Sequence, residues 1–381
     1  MSRKFFYSLI LTLLFFIPGP ASAFLSVVRQ GAESADTPNQ NDRFGSTVCA
    51  GDFNGDGLDD LATAATDESN GLINTAAHGK IIISPGTSRG IGTQNIKQID
   101  VGDLGTEAAR FGRSMVAADF DNDGFDDLAV GIPQLDTIGG PGRGAVWVYR
   151  GSNNGLETSP YRQIVYDNVE AFPEDYANFG WALTSGDFNV DGFADIATSA
   201  IGQDGDTGVL YFFFSAGGGG ISTSSFQKMY PYTAGGSDSL GGQFGYALQA
   251  GQYDGFGGDD LAVGAPLTDV QGQTAAGRVY FYYAGGNGIT GSGAWYLDAS
   301  NMGATATEGN AHLGFSLAAG HLYQVSGQED VAVGAPRDNY GDNNDAGSVI
   351  LVEFDATPTS YTSLRKLRQH QMHDATSAST G

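Results

Sequence analysis

Apolar and polar positions fall into short blocks along this chain. Between Arg113 and Tyr166 the order is Arg113–Ala118, an acidic stretch Asp119–Asp127, the run Leu128–Pro133, and a polar Gly-rich loop. Then come the aromatic run Gly144–Tyr149, a turn from Gly151 to Leu156, and Arg162–Tyr166. The apolar blocks are five or six residues long, rich in β-branched and aromatic side chains, and bounded by Gly, Asp, Asn and Ser. This pattern predicts four strands joined by tight turns. No helical 3.6-residue period of useful length follows the first residues of the chain.

The same series recurs. Phe-Gly pairs stand at Phe44-Gly45, Phe111-Gly112, Phe179-Gly180 and Phe244-Gly245, with Leu313-Gly314 as a fifth, at spacings of 67, 68, 65 and 69 residues. Four-stranded antiparallel units repeated in this way predict an all-β fold, a β-propeller, because one such sheet leaves two apolar faces that only neighbouring blades can cover. Trp147, Tyr149, Tyr211–Phe214 and Tyr280–Tyr283 read as packing between blades. Four complete copies and the three strands of the fifth call for one more strand. Ser26–Gln30, placed where other copies have their fourth strand, would supply it and close five blades, leaving no open edge. Ser363–Arg368 competes for that position. The expected boundaries are a propeller over 24–355 and a C-terminal strand with a flexible tail over 356–381.

The first 23 residues read differently. Arg3 and Lys4 precede the apolar run Phe5–Ile17, and Ala21-Ser22-Ala23 follows. This is the pattern of a signal peptide cleaved before Phe24, so the chain is expected outside the cell, at its surface or in a periplasm. The apolar run is too short to span a bilayer, and no later stretch could insert in one. Cys49 is the single cysteine and lies in a strand-like stretch, which suits a buried small apolar residue.

Charge narrows the partners. The 381 residues include 43 Asp or Glu against 18 Lys or Arg, a formal charge of −25. So acidic a chain is a poor ligand for nucleic acid or an anionic membrane and suits cations or basic partners. Glycine, 58 residues, is about twice its usual share, yet 41% hydrophobic residues suffice for a core.

The acidity is concentrated between strands 1 and 2. The first loop offers Asp52, Asn54, Asp56, Leu58 and Asp60. The second offers Asp119, Asp121, Asp123, Phe125 and Asp127, and the third Asp187, Asn189, Asp191, Phe193 and Asp195. Oxygen side chains at positions 1, 3, 5 and 9, with the backbone carbonyl at 7, suit Ca2+, which takes six to eight hard oxygen ligands. Without His or Cys, zinc is a poor fit. An EF-hand needs a Glu at position 12 and flanking helices, but position 12 is Thr63, Val130 or Thr198 and the flanks read as strands. The fourth loop, Gln252–Asp260, loses carboxylates at positions 1 and 5, and its binding is in doubt. In the fifth, His321–Asp330, no metal is expected.

Together the Phe-Gly pairs, the Asp-x-Asp/Asn-x-Asp-Gly-x-x-Asp loops, and Gly264-Ala-Pro266 with Gly334-Ala-Pro336 resemble the FG-GAP repeat. That resemblance covers nearly all of 26–355. It implies the propeller of integrin α subunit heads and of secreted microbial proteins, with Ca2+ in the three intact loops, although integrin heads have seven blades. It also implies that partners meet the face opposite the metals. On that face the 2–3 and 4–1 loops, with Tyr176, Arg337 and Tyr340 as candidate contacts, would recognise an extracellular protein or glycan. No Arg-Gly-Asp motif occurs. Two alternatives stay open, an extracellular enzyme acting on polysaccharide and a passive surface scaffold. Against catalysis, His78, His312, His321, His370 and His373 share no spacing, and Gly86-Thr-Ser-Arg-Gly90 falls in a strand 3–4 turn, not a strand-to-helix elbow.

Overall fold

Each copy of the repeat folds into one four-stranded antiparallel sheet with strands in chain order. The structure, a computed structural model, describes residues 43–66, 79–92, 94–100, 109–231, 241–303, 307–322, 328–339, 345–354 and 361–368. The first sheet holds β1 (Phe44–Gly51), β2 (Asp60–Ala65), β3 (Lys80–Ser84) and β6 (Lys97–Asp100). A two-residue ribbon, β4 (Gly86–Thr87) with β5 (Gly90–Ile91), lies between its last two strands. The Gly86–Gly90 stretch is therefore a hairpin, as expected from its place in the repeat. The second sheet holds β7 (Ser114–Ala118), β8 (Asp127–Ile132), β9 (Ala145–Tyr149) and β10 (Arg162–Val165). The third holds β11 (Phe179–Gly186), β12 (Asp195–Ala200), β13 (Val209–Ser215) and β14 (Ile221–Met229). The fourth holds β15 (Ala247–Gly251), β16 (Asp260–Ala265), β17 (Arg278–Tyr283) and β18 (Thr290–Asp298). The fifth holds β19 (Ser316–Gly320), β20 (Asp330–Ala335), β21 (Ser348–Phe354) and β22 (Tyr361–Leu367).

Second strands such as β8, β12 and β16 are buried at every position. They lie between two neighbouring sheets, so they read in the sequence as continuous apolar runs and not as alternation. Ala62, Ile81 and Ile83 of the first sheet share one core with Phe111, Leu128 and Tyr149 of the second. Leu210 and Phe212 of the third share another with Phe244, Leu261 and Tyr280 of the fourth. Phe111, Phe179 and Phe244 each meet a third-strand aromatic edge-on, as in Phe179–Tyr211 and Phe244–Tyr280, both with centroids 5.2 Å apart. The aromatic runs are thus packing, as their spacing suggests.

First strands lie innermost. β1 packs on β7, β7 on β11, β11 on β15, and β15 on β19. Together they line a central channel of about 590 Å3, with Cys49, Ala117, Leu183, Leu248 and Ala319 on its wall.

One expectation is corrected. The fourth strand of the last sheet is β22, from the C-terminal segment, so the propeller extends past residue 355. Charge favours this strand: Arg365 Nε lies 2.9 Å from Glu353 Oε1, and Lys366 Nζ lies 2.6 Å from buried Asp338 Oδ2. Ser26–Gln30, the signal peptide and the tail from His373 lie outside the described residues.

Candidate metal centre

The acidic loops connect the first and second strands at one end of the sheets. In each intact loop the first Asp folds the chain around itself. Asp52 Oδ1 and Oδ2 accept hydrogen bonds from the N–H of Asp56 (3.0 Å) and Gly57 (2.8 Å). Asp119 accepts from Asp123 (3.0 Å) and Gly124 (2.9 Å), and Asp187 from Asp191 and Gly192 (both 2.9 Å). Position 5 then accepts from the N–H of position 7, as in Asp56 with Leu58, Asp123 with Phe125, and Asp191 with Phe193. These bonds turn the carboxylates inward on a tight loop.

The second loop gathers the most charge. Oxygens of Asp119, Asp121 and Asp123 all lie within 4.8 Å of one another. Asp121 is buried and held on one side by Arg150, whose Nε is 2.9 Å from its Oδ2. Its other oxygen, Oδ1, is buried without a hydrogen-bond partner, as is Oδ2 of Asp127. Burial, then the charge of Asp123, raises the Asp121 carboxyl. Asp127 is pushed up to about 8, first by burial and then by the charges of Asp121, Asp123 and Asp119. Orphaned oxygens among crowded carboxylates fit a hard divalent cation, which satisfies the lone pairs and removes the repulsion together. In the first loop the set is looser, because Asn54 Nδ2 donates to Asp60 at 3.2 Å. In the third, Asn189 Nδ2 donates to Asp191 at 2.9 Å.

Position 9 has a second role that its ligand spacing concealed. Asp60, Asp127 and Asp195 each accept a hydrogen bond from the start of the strand 3–4 connection: Gly86 (2.8 Å), Gly151 (2.9 Å) and Ser215 (2.8 Å). Asp260 does the same in the degenerate fourth loop, accepting from Ala284 (2.9 Å), Tyr253 (2.8 Å) and Asp254 (3.0 Å). In the fifth, Asp330 ties Leu322 (3.1 Å) to Phe354 (3.3 Å). The aspartate persists where the other ligands are lost because it pins two turns of its own blade.

Position 8 was overlooked in the sequence. Asp126 Oδ2 accepts from the N–H of Asp52 in the preceding blade at 2.9 Å. Asp259 does so from Asp187 (2.9 Å), and Glu329 from Gln252 (3.2 Å). Each acid thus fastens one loop to its neighbour. The only signal was the first acid of the Asp-Asp or Glu-Asp pair, present in every blade but the third, which has Ala194.

At the other end of the sheets, the second blade's 2–3 loop and 4–1 segment are locked together. Arg143 pairs with Asp167 (2.7 Å) and Asp175 (3.0 Å), and the N–H of Tyr176 donates to Pro141 O (2.9 Å). Ile138, Phe172 and Tyr176 are left exposed on this rigid corner. Arg337 is exposed in the fifth blade, and Tyr340 lies outside the described residues.

The FG-GAP repeat family matches residues 44–77, 111–149 and 179–213, in register with the first three blades. The chain carries FG-GAP repeats. Its resemblance to integrin α heads is borne out by curated relatives. Integrin alpha-4 of Xenopus laevis is 32% identical over 42% of this chain and 14% of its own length. Integrin alpha-5 of the same frog is 31% identical over 62% and 21%. Human phosphatidylinositol-glycan-specific phospholipase D is 30% identical over 60% of this chain and 26% of its own. The FG-GAP chain therefore spans about a quarter or less of these relatives. Among solved structures, a Bacillus licheniformis rhamnogalacturonan lyase aligns with 86% of this chain and 53% of its own, at 15% identity and a TM-score of 0.43.

Proposed function

We propose that this FG-GAP propeller is a secreted, calcium-braced recognition module that binds an extracellular protein or glycan through its 2–3 and 4–1 loops. Calcium rests on one observation above the rest: the buried oxygens of Asp121 and Asp127 that accept no hydrogen bond, beside Asp119 and Asp123. Ca2+ would be held by Asp119, Asp121, Asp123, the carbonyl of Phe125 and Asp127. The corresponding sets are Asp52, Asn54, Asp56, Leu58 and Asp60, and Asp187, Asn189, Asp191, Phe193 and Asp195.

Recognition rests on the opposite corner, where Ile138, Phe172 and Tyr176 present apolar surface on loops that Arg143 holds in place. Apolar side chains fixed on a rigid scaffold bind with little ordering cost. Secretion rests on the leader pattern of residues 1–23. Binding is preferred to catalysis because the crowded carboxylates already serve the loops. The relatives named as phospholipases favour the enzymatic alternative.

Glycan and matrix-protein arrays, run beside a polysaccharide depolymerisation screen, test the choice. Saturable binding lost in Phe172→Ala/Tyr176→Ala supports recognition. Product release without stoichiometric binding would replace it with catalysis.

A further inference from the structure

The corner between the second and third blades stands on a backbone that the fourth blade repeats. In both, the 2–3 loop is a hairpin closed by paired backbone bonds, Thr137 with Gly140 (2.9 and 3.2 Å) and Val270 with Gln273 (3.0 and 2.9 Å). In both, an aspartate folds the loop back: Asp136 Oδ1 accepts from the Gly142 N–H and Asp269 Oδ1 from the Ala275 N–H, each at 2.8 Å. In both, the 4–1 segment then runs along the loop. The N–H groups of Tyr176 and Asn178 donate to Pro141 O (2.9 Å) and Gly142 O (3.0 Å). Those of Asn310 and His312 donate to Thr274 O (2.7 Å) and Ala275 O (3.2 Å).

The side chains on this shared backbone differ. Ile138 at the hairpin tip corresponds to Gln271, and Tyr176 corresponds to Asn310. The fold therefore accepts polar residues at both places. Tyr176 is also a poor choice for its backbone. Its φ is +61°, in the left-handed region, where the counterparts three residues before the next two Phe-Gly and Leu-Gly pairs are Gly241 and Asn310. Gly and Asn take that conformation readily, whereas a bulky residue there is an outlier. Burial does not offset the strain. Ile138 is fully exposed, Phe172 is 86% exposed and Tyr176 66%, and these are the three most exposed large apolar side chains of the described residues. Strain kept beneath an exposed side chain is a feature of functional surfaces.

The charge around these side chains is one-sided. The three segments of the corner, 134–143, 166–178 and 201–208, hold seven carboxylates and one guanidinium. Arg143 takes Asp167 and Asp175, and Lys228 takes Glu170 at 2.6 Å. Asp136, Glu174, Asp204 and Asp206 have no basic partner among the described residues. Asp136 lies two residues from Ile138, and Glu174 two from both Phe172 and Tyr176. Glu174 Oε2 accepts from the N–H of Asp204 at 3.1 Å, which brings the third blade's loop to the same place. Burial, then the charge of Asp204, raises the Glu174 carboxyl.

We propose that this corner docks a basic, apolar protein segment. Its large aliphatic or aromatic side chains would rest on Ile138, Phe172 and Tyr176, with Lys or Arg beside them reaching Asp136, Glu174, Asp204 and Asp206. This rests on the recognition reading above and narrows it from protein or glycan to one class. Apolar contact supplies the anchor, while the unpaired carboxylates steer the approach and reject anionic partners. A polyanionic glycan would meet those carboxylates as repulsion. A neutral glycan could stack on the rings but would leave the carboxylates without a counter-charge.

The test is selection of a displayed random-peptide library on the full chain with Ca2+ present, counter-selected on Ile138→Gln/Tyr176→Asn. That variant carries the fourth blade's own residues, so it should melt at or above the wild-type temperature. Recovered peptides should place Lys or Arg next to Leu, Ile, Phe or Trp. Synthesised singly, they should bind the variant at least about tenfold more weakly than wild type. Their affinity for wild type should fall as salt rises, and fall less steeply for Asp204→Asn/Asp206→Asn. No peptide that separates wild type from the variant, or a recovered set that is neutral or acidic, overturns the proposal. Should the variant unfold, Ile138→Gln/Phe172→Ser replaces it with the same outcomes. The glycan array keeps the two readings apart. Glycan binding lost in the same variant would retain recognition at this corner and overturn the protein partner. If the variant changes neither peptide nor glycan binding, both readings fall.

Discussion

Replacing Gly186 by alanine puts a methyl group 2.7 Å from Asp259 Cβ and 3.0 Å from its Oδ2, across the interface between the third and fourth blades. Gly186 has ordinary backbone angles, so the cost is steric and not conformational. Overpacking of this kind costs about 1–3 kcal/mol. Asp259→Ala removes the acceptor of the Asp187 N–H, bonded at 2.9 Å, and a polar group left unsatisfied costs about 1–3 kcal/mol. In the double variant the Oδ2 contact is gone and only the Cβ–Cβ approach remains, an Ala–Ala pairing that the corresponding positions of the second and third blades already hold as Ala118 and Ala194. The double variant should therefore be more stable than the sum of the singles predicts, by about 1 kcal/mol or more. Urea unfolding of the four proteins at fixed Ca2+ measures the coupling. Additivity within about 0.5 kcal/mol, or a neutral Gly186→Ala, would refute the account of how blades meet.

Other expectations follow from single sites. Asp260→Ala should destabilise the chain by about 2–4 kcal/mol, since three backbone N–H groups lose their acceptor, and the loss should be the same with and without chelator. A loss confined to Ca2+-loaded protein would instead make Asp260 a ligand. Cys49 should react with a thiol reagent about a hundredfold or more slowly in the native protein than in the unfolded one, because burial pushes its thiol up to about 12. Equal rates would show that the channel wall is open to reagent.

Much of this architecture was legible because the repeat writes it locally. Phe-Gly pairs, strand lengths and acidic loops recur at one period, and each marks a turn or strand of its own blade. Where partners lie in another blade, the sequence was mute. Asp59, Asp126 and Asp259 look alike, yet among the described residues only the latter two fasten a neighbouring blade's loop. Ser26–Gln30 and Ser363–Arg368 are equally strand-like, and choosing between them needed the acids Glu353 and Asp338 that receive Arg365 and Lys366. Position 9 was read from ligand spacing alone. Its hydrogen bonds to the strand 3–4 connection became visible only once both turns were placed side by side.

Calcium titration of metal-stripped protein by calorimetry, paired with thermal unfolding, tests the central claim most directly. Three sites should titrate. Saturation should raise the melting temperature, as about 2.7 kcal/mol per site is gained at one hundred times the dissociation constant. Asp121→Ala should remove one site and its share of that gain. No heat of binding, with a melting curve unchanged by chelator, would contradict the account.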